Sequence, residues 1–121
     1  MSGRHDESIV MKDIVIAAKR LIELGESAHW SPDPDRDTGE MILWNLTVLG
    51  EAAKRVSPVG RERFADVDWS AMARTRDVIV HHYEGVDWEV VARIISDDLP
   101  ALLPRLTTIR DAFRAEADLS P

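Results

Sequence analysis

Apolar residues recur at intervals of four and three along much of this chain. In the first part of the chain, the repeating positions are Val10, Ile14, Ala17, Leu21, Leu24 and Ala28. A second stripe follows the same spacing through Ile42, Leu46, Leu49, Ala53 and Val56, and Met41, Trp44 and Val48 widen it. This spacing places side chains on one face of an α-helix, and no segment shows the alternation typical of a strand. The pattern therefore predicts an all-α fold whose helices bury these faces against one another.

Proline, glycine and aspartate residues indicate where the helices begin and end. The segment WSPDPDRDTGE, residues 30–40, predicts a loop that leads into a capping box formed by Asp37 and Glu40. Pro58 predicts the end of the helix that follows. Gly50 lies inside this helix at a cost of about 1 kcal/mol relative to alanine, which suggests that another helix crosses closely there.

The tripeptide Val-Asp-Trp occurs twice, in VDWSAMAR (67–74) and in VDWEVVAR (86–93). In both copies the aspartate is suited to cap a helix, so we predict two helix starts rather than a domain repeat. Pro100 and Pro104 predict that the second of these helices ends or bends near residue 99. The predicted helices span about 7–28, 38–57, 69–84, 87–98 and 101–117. We therefore predict one domain over residues 1–121, an antiparallel bundle of four to five helices with its core within about 7–117.

Composition narrows the cellular setting. The chain has no cysteine, which excludes disulfides and zinc–thiolate sites and is consistent with the cytoplasm. The opening residues MSGRHDES lack the apolar stretch of a signal peptide. No apolar run approaches the roughly 20 residues that a membrane helix requires. We predict a soluble cytoplasmic protein without a membrane partner.

Positive charge is concentrated in one part of an acidic chain. The formal net charge is −7, which argues against a general nucleic-acid coat protein. Residues 54–76 nevertheless carry six bases against three acids. Such a stretch is either a solvated charged loop or a local anion site. If it is an anion site, Lys54, Arg55 and Arg74 are the candidate RNA-binding residues.

The basic stretch runs into RTRDVIVHHY, residues 74–83, which contains the candidate catalytic groups. On an ideal α-helix Arg76 shares a face with Tyr83, and Asp77 lies within contact of His81. A carboxylate in that position can orient an imidazole and stabilise its protonated form. Arg76 and His81 diverge by about 140° on such a helix. They can converge on one phosphate if the long arginine side chain wraps round, if the helix end distorts, or if a second copy of the chain completes the site, and the geometry favours the last of these.

Two other interpretations of this cluster remain open. The polar groups could simply reach solvent at the rim of the bundle. A metal site is less favoured, because adjacent histidines point in different directions and the chain lacks the Glu-x-x-His pairs of bundle metal sites. Trp69 and Trp88 suit packing at helix starts better than the stacking of bases, which needs an exposed ring.

The motif Arg76-Asp77-x-x-x-His81-x-Tyr83 resembles the Arg-x4-His-x-Tyr signature of the HepT toxins, a family within the HEPN superfamily. The segment VLGEAAKRVSP (48–58) resembles the second-helix segment of that family, and residues 67–106 follow its pattern almost throughout. The resemblance extends from the first predicted helix to residue 106. It implies a HEPN-like helical homodimer.

The resemblance also implies an activity and a partner. HepT-like proteins are metal-independent endoribonuclease toxins that use the 2′-hydroxyl of their RNA substrate as the nucleophile. The substrate is a tRNA or an mRNA. They belong to type VII-like pairs in which a minimal nucleotidyltransferase antitoxin transfers AMP to a tyrosine of the toxin. The resemblance implies that Arg76 binds the scissile phosphate and that His81 is the acid/base catalyst. It gives Asp77 a supporting role and makes Tyr83 the residue that accepts AMP.

The resemblance implies neither a metal nor a cofactor, and it leaves an alternative function. The alternative is a HEPN-type module that binds nucleotide or protein without cleaving. Glu51 matches an acidic position of the family's second helix and either partners an arginine or faces the cleft. His82 takes a variable position and receives no role.

Overall fold

The structure, a computed structural model, describes residues 3–79 and 85–119. Their regular secondary structure is entirely helical, which confirms the predicted all-α class. The α-helices are α1 (Gly3–Ser27), α2 (Arg36–Lys54), α3 (Pro58–Arg63), α4 (Trp69–Arg74), α5 (Trp88–Arg93) and α6 (Leu99–Leu119). A 3-10 segment (Thr75–Ile79) follows α4, and a π segment (Ile94–Asp98) joins α5 to α6. None of the helices in these two ranges has the length and apolar content to span a membrane.

Helix α1 lies at the centre of the bundle, because it packs against both α2 and α6. Its predicted apolar stripe is buried, with Ile14 and Leu21 at 0% exposure. Leu49 of α2 and Leu106 of α6 are also at 0% exposure. The first half of α1 meets the end of α2 through an ion pair between Asp13 and Arg55, and Glu7, near the start of α1, accepts from Ser57 just beyond α2, so these two helices run antiparallel.

The stripe on α2 is narrower than predicted. The prediction that Met41 and Trp44 widen the buried face is wrong, because their exposures are 53% and 67%. The buried apolar positions of α2 include Ile42, Leu46 and Leu49, whereas Met41 and Trp44 are exposed beside them. Large apolar residues at helical spacing do not reveal how broad a face the neighbouring helix covers.

The start of α2 differs from the prediction for a local reason. The N-cap is Asp35 rather than Asp37, and its carboxylate accepts hydrogen bonds from the backbone N–H and the hydroxyl of Thr38, at 2.9 and 2.8 Å. These two bonds hold the pKa of Asp35 below its ordinary value. Glu40 pairs with Arg36 at 3.1 Å instead of closing a capping box. The helix-start prediction was correct for the two Val-Asp-Trp copies, where Asp68 and Asp87 accept from Ala71 N–H and Val90 N–H.

The corner after α2 contains a short helix that the sequence pattern did not predict. Helix α2 ends at Lys54, and Pro58 opens α3, since proline is well suited to the first helical position. Ser57 caps α3 by accepting from the backbone N–H of Gly60 at 3.0 Å. The buried carboxylate of Glu7 accepts from Ser57 N–H at 2.9 Å and so ties α1 to this corner.

The helical path from α5 to α6 changes its winding close to the predicted break. Over Ile94–Asp98 the chain is π-helical, and the N–H of Leu99 bonds to the carbonyl of Ile94. Pro100 has no N–H to donate and its ring needs space beside the preceding turn, which a wider turn provides. Helix α6 then continues through Pro104, starting two residues earlier than predicted.

A cluster of rings and charges holds the segment after α3 against α6. The rings of Phe64 and Phe113 meet edge to face, with centroids 5.4 Å apart. The guanidinium of Arg63 lies over both rings and pairs with Glu116. Arg105 binds Asp66 through two hydrogen bonds of 2.7 and 3.1 Å, and this pairing lowers the pKa of Asp66.

Replacing Asp66 with asparagine is expected to reduce stability in a pH-dependent way. Because the folded-state pKa of Asp66 is lowered, its contribution is fully present above the ordinary aspartate pKa and disappears as pH falls through the folded-state value. The free energy of unfolding should therefore differ between wild type and Asp66→Asn at neutral pH and converge in acid, as followed by urea denaturation. High salt should shrink the neutral-pH difference. A difference that persists unchanged in acid would contradict the ion-pair origin.

Candidate active site after the fourth helix

The side chain of Arg76 is held by a carboxylate from α2. Its Nη1 lies 2.5 Å from Oε1 of Glu51, and the exposures of the two side chains are 34% and 50%. Of the two roles left open for Glu51, the structure shows that of partner to an arginine. The pair is open to solvent on one side, so the guanidinium is both ordered and accessible to an anion.

Gly50 allows this arrangement. A Cβ atom at Gly50 would lie 2.7 Å from Cβ of Arg76 and 3.1 Å from the carbonyl oxygen of Ala73. The backbone after α4 therefore packs directly onto α2, and the close crossing suggested by the interior glycine is confirmed. Adjacent residues of α2 thus set both the backbone and the side chain of Arg76.

The chain is not an ideal α-helix where it carries Arg76 and Asp77. The α-helix ends at Arg74, and Thr75–Ile79 is a 3-10 helix with about three residues per turn. At the junction the N–H and the hydroxyl of Thr75 both bond to the carbonyl of Met72. The α-helix predicted over residues 69–84 is therefore wrong over Thr75–Ile79, and angles derived from 3.6 residues per turn do not apply there.

The remaining motif residues lie outside the described part of the chain. These are His81, His82 and Tyr83. The predicted contact of Asp77 with His81 and the predicted shared face of Arg76 and Tyr83 therefore remain predictions.

A second feature lies beside Asp77, and we call it the basic groove. It is a cavity of about 290 Å³ lined by Lys54, Arg61, Ser70, Ala73, Arg74 and Asp77. Of the three predicted RNA-binding residues, Lys54 and Arg74 come together here. Arg55 is directed to α1, where it pairs with Asp13 at 3.3 Å. Two consecutive basic residues at the end of α2 thus lie on different sides of the bundle.

Arg61 is a groove residue that the sequence prediction did not select. Its Nε donates to the carbonyl of Val56 at 3.1 Å, and its Nη2 donates to those of Ala53 and Lys54 at 3.1 and 3.3 Å. Arg61 thus binds the carbonyl groups at the C-terminal end of α2 and brings a fixed positive charge to the groove. Membership of the basic stretch was the available signal, but it did not separate Arg61 from Arg55 or Arg63.

The tryptophans of the Val-Asp-Trp segments take packing roles. Trp69 is 4% exposed and its indole N–H donates to the carbonyl of Phe64 at 3.0 Å. Trp88 is half-buried and packs against the core. The packing interpretation is confirmed for Trp69, whose ring is inaccessible to a base.

In residues 3–79 and 85–119, no three histidine, aspartate or glutamate side chains group in a way that could hold a metal ion.

Fold and site together define an all-α, HEPN-like bundle with an ordered arginine, Arg76, whose neighbour Asp77 lines a cationic groove. The family model described as "Ribonuclease HepT-like" matches residues 11–109. The chain belongs to the HepT-like ribonuclease family.

Curated relatives agree with this assignment. The chain is 24% identical over 101 residues to "Putative RNase MJ1380" of Methanocaldococcus jannaschii, covering 83% of this chain and 93% of the relative. It is 30% identical over 76 residues to "Probable ribonuclease HepT" of Thermococcus cleftensis, covering 63% and 69%. "Putative RNase MJ0127" of M. jannaschii is 33% identical over 66 residues, and the match covers 54% of each chain. No solved structure matched the chain.

Proposed function

We propose that this chain is the ribonuclease toxin of a toxin–antitoxin pair and that it cleaves RNA without a metal ion. The observation that carries the proposal is Arg76, a motif arginine held by Glu51 and still 34% exposed. A guanidinium ordered before substrate arrives can stabilise charge on a phosphate without reorganising during the reaction. Membership of a ribonuclease family supports RNA as the substrate.

The reaction uses a nucleophile that RNA itself supplies. The 2′-oxygen loses its proton and attacks the adjacent phosphorus, and the bond from phosphorus to the 5′-oxygen breaks as that oxygen gains a proton. The products are a 2′,3′-cyclic phosphate and a free 5′-hydroxyl, with no net change in protons. His81 carries the proton transfer, since imidazole titrates near neutral pH. Arg76 neutralises charge on the phosphoryl oxygens, and Asp77 orients the histidine.

The cleavage requires a base for the 2′-hydroxyl and an acid for the leaving oxygen. A homodimer would bring two copies of His81 to one cleft, so that one accepts a proton while the other donates one. The family resemblance supports this assembly.

Adenylylation of Tyr83 provides the switch in this proposal. A minimal nucleotidyltransferase antitoxin transfers AMP from ATP to the tyrosine oxygen, and pyrophosphate leaves. The added phosphate brings negative charge and bulk to the motif that carries Arg76, so it competes with RNA for the guanidinium. Removal of the antitoxin's modifying activity should therefore yield an active enzyme.

Cleavage in the presence of EDTA tests the proposal directly. Purified, antitoxin-free protein, with Tyr83 shown to be unmodified by mass spectrometry, is incubated with total cellular RNA beside His81→Ala. The wild type should cleave and leave cyclic phosphate ends, and His81→Ala should be slower by about 10²–10⁴-fold, the usual contribution of a general acid/base. Equal cleavage by both proteins would show that the assignment of His81 is wrong. Cleavage that needs an added divalent metal would contradict the metal-free mechanism.

A further inference from the structure

We propose that the basic groove binds the RNA backbone phosphate next to the scissile one, with Lys54 and Arg74 as its direct ligands. This inference rests on the proposed function, because it takes Arg76 to bind the scissile phosphate and places the neighbouring phosphate of the same RNA strand in the groove. It names the ligand as a phosphodiester. It also assigns phosphate binding to Lys54 and not to its neighbour Arg55.

Three helices contribute cations to one concave surface. Lys54 ends α2, Arg61 lies in α3 and Arg74 ends α4, and all three line the same cavity of about 290 Å³. Against these three cations the cavity lining contains one carboxylate, that of Asp77. On a chain of net charge −7, such a surface offers a polyanion a local excess of positive charge.

Two of the cations are ordered in the absence of RNA. Arg61 is fixed by its three hydrogen bonds to carbonyl groups at the end of α2. The Nη1 of Arg74 donates to the hydroxyl of Ser70 at 2.7 Å, which leaves the rest of its exposed guanidinium to donate elsewhere. A groove whose charges are already ordered loses less side-chain entropy when a phosphate binds.

The groove adjoins the candidate catalytic arginine. Asp77, which follows Arg76 directly, lines it. Along α2, Gly50 contacts the backbone of Arg76, and Lys54 is one helical turn further, about 6 Å along the axis. The groove and Arg76 can therefore engage successive phosphates of one strand.

The chemistry of the lining indicates contact with backbone rather than bases. Lysine, arginine and serine side chains are typical phosphate ligands, and they position a nucleic acid without selecting its sequence. The described lining contains neither an aromatic ring for stacking nor a side-chain amide for reading base edges. Substitutions in the groove should therefore weaken the binding of all RNA sequences by the same factor.

Two adjacent residues at the end of α2, Lys54 and Arg55, provide the test. Binding of a fluorescent 2′-O-methyl oligoribonucleotide, which lacks the nucleophile, is measured in EDTA for wild type, Lys54→Ala, Arg74→Ala and Arg55→Ala. The first two variants should each raise Kd by about 3–10-fold and lower the slope of log affinity against log salt by about 0.7, the value for one single-strand phosphate contact. Arg55→Ala removes the same charge on the side facing α1 and should match the wild type. Arg61 is left intact, because its substitution would also release the end of α2.

The outcomes separate this inference from the proposed function. Cleavage of unmodified RNA is assayed in parallel with the wild type. If the wild type cleaves but Lys54→Ala and Arg55→Ala weaken binding equally, the groove is not a phosphate site and only this inference fails. If binding depends on Lys54 and Arg74 but no cleavage occurs, the nuclease proposal fails, and the groove stands as a phosphodiester site but not as the neighbour of a scissile phosphate. No binding of the oligoribonucleotide by the wild type would overturn the groove assignment itself.

Discussion

Arg76→Ala is expected to reduce the rate of RNA cleavage by at least about 100-fold, which is the effect of removing one preorganised hydrogen-bond donor from an active site. The loss should appear in kcat, because the guanidinium is proposed to stabilise charge that grows on the phosphate during attack. The fold should persist, since the Arg76 side chain is partly exposed and contributes to a surface ion pair, which is worth little to stability. Single-turnover cleavage and thermal denaturation measure the two quantities.

Variants around Arg76 distinguish its geometry from its charge. Arg76→Lys retains the charge but loses the planar fork, so most of the activity should still be lost. Glu51→Ala should lower kcat less than Arg76→Ala does, because the arginine remains but its orientation is no longer fixed. Arg114→Ala removes an equal charge from an exposed position on α6 and serves as the control. Full activity in Arg76→Lys would show that charge alone suffices and that the planar fork is not needed. Full activity in Glu51→Ala would show that the pairing with Glu51 is not needed.

Gly50→Ala is expected to damage both stability and activity, although Gly50 carries no functional group. The new Cβ would lie 2.7 Å from Cβ of Arg76, so the 3-10 segment has to move away from α2. Overpacking of this kind costs about 1–3 kcal/mol of folding free energy. A displacement of about 1 Å at a catalytic group can lower the rate by about 100-fold. Urea denaturation and single-turnover cleavage under conditions where the variant stays folded measure the two effects.

A second glycine provides the matched control for Gly50→Ala. A Cβ at Gly60 would overlap the buried Oε2 of Glu7, at the corner between α1 and α3. Gly60→Ala should therefore lower stability as well, but the folded variant should retain the cleavage rate of the wild type. If both alanine variants lose activity in proportion to their stability, the specific role of Gly50 in placing Arg76 is wrong.

Local patterns in the sequence were sufficient for most of the helical framework. The buried faces of α1 and α2 follow the four-three spacing because a helix repeats every 3.6 residues wherever it packs. The caps at Asp68 and Asp87 were predictable since each bonds to an N–H three residues away. The same local reasoning chose Asp37 over Asp35, because it paired the aspartate with a glutamate and missed the two bonds offered by Thr38.

The errors elsewhere arise from contacts between residues distant in the chain. Exposure of Trp44 depends on how much of α2 is covered by its neighbours, which periodicity does not specify. Arg55 and Arg61 are equivalent as basic residues in a loop-rich stretch. Their roles separate only because Asp13 lies near one and the carbonyl groups ending α2 lie near the other.

The sequence alone determined the helical class, the family and the motif that carries Arg76, because each is contained in the spacing of residues along one chain. Tertiary structure decided which groups meet. Glu51 is 25 residues before Arg76, and they are joined only because Gly50 lets the 3-10 segment approach α2. The basic groove likewise requires the ends of α2 and α4 to converge with α3. Electrostatic interactions between exposed charges are screened beyond about 10 Å, so a charge acquires its role only when folding has placed its partner nearby.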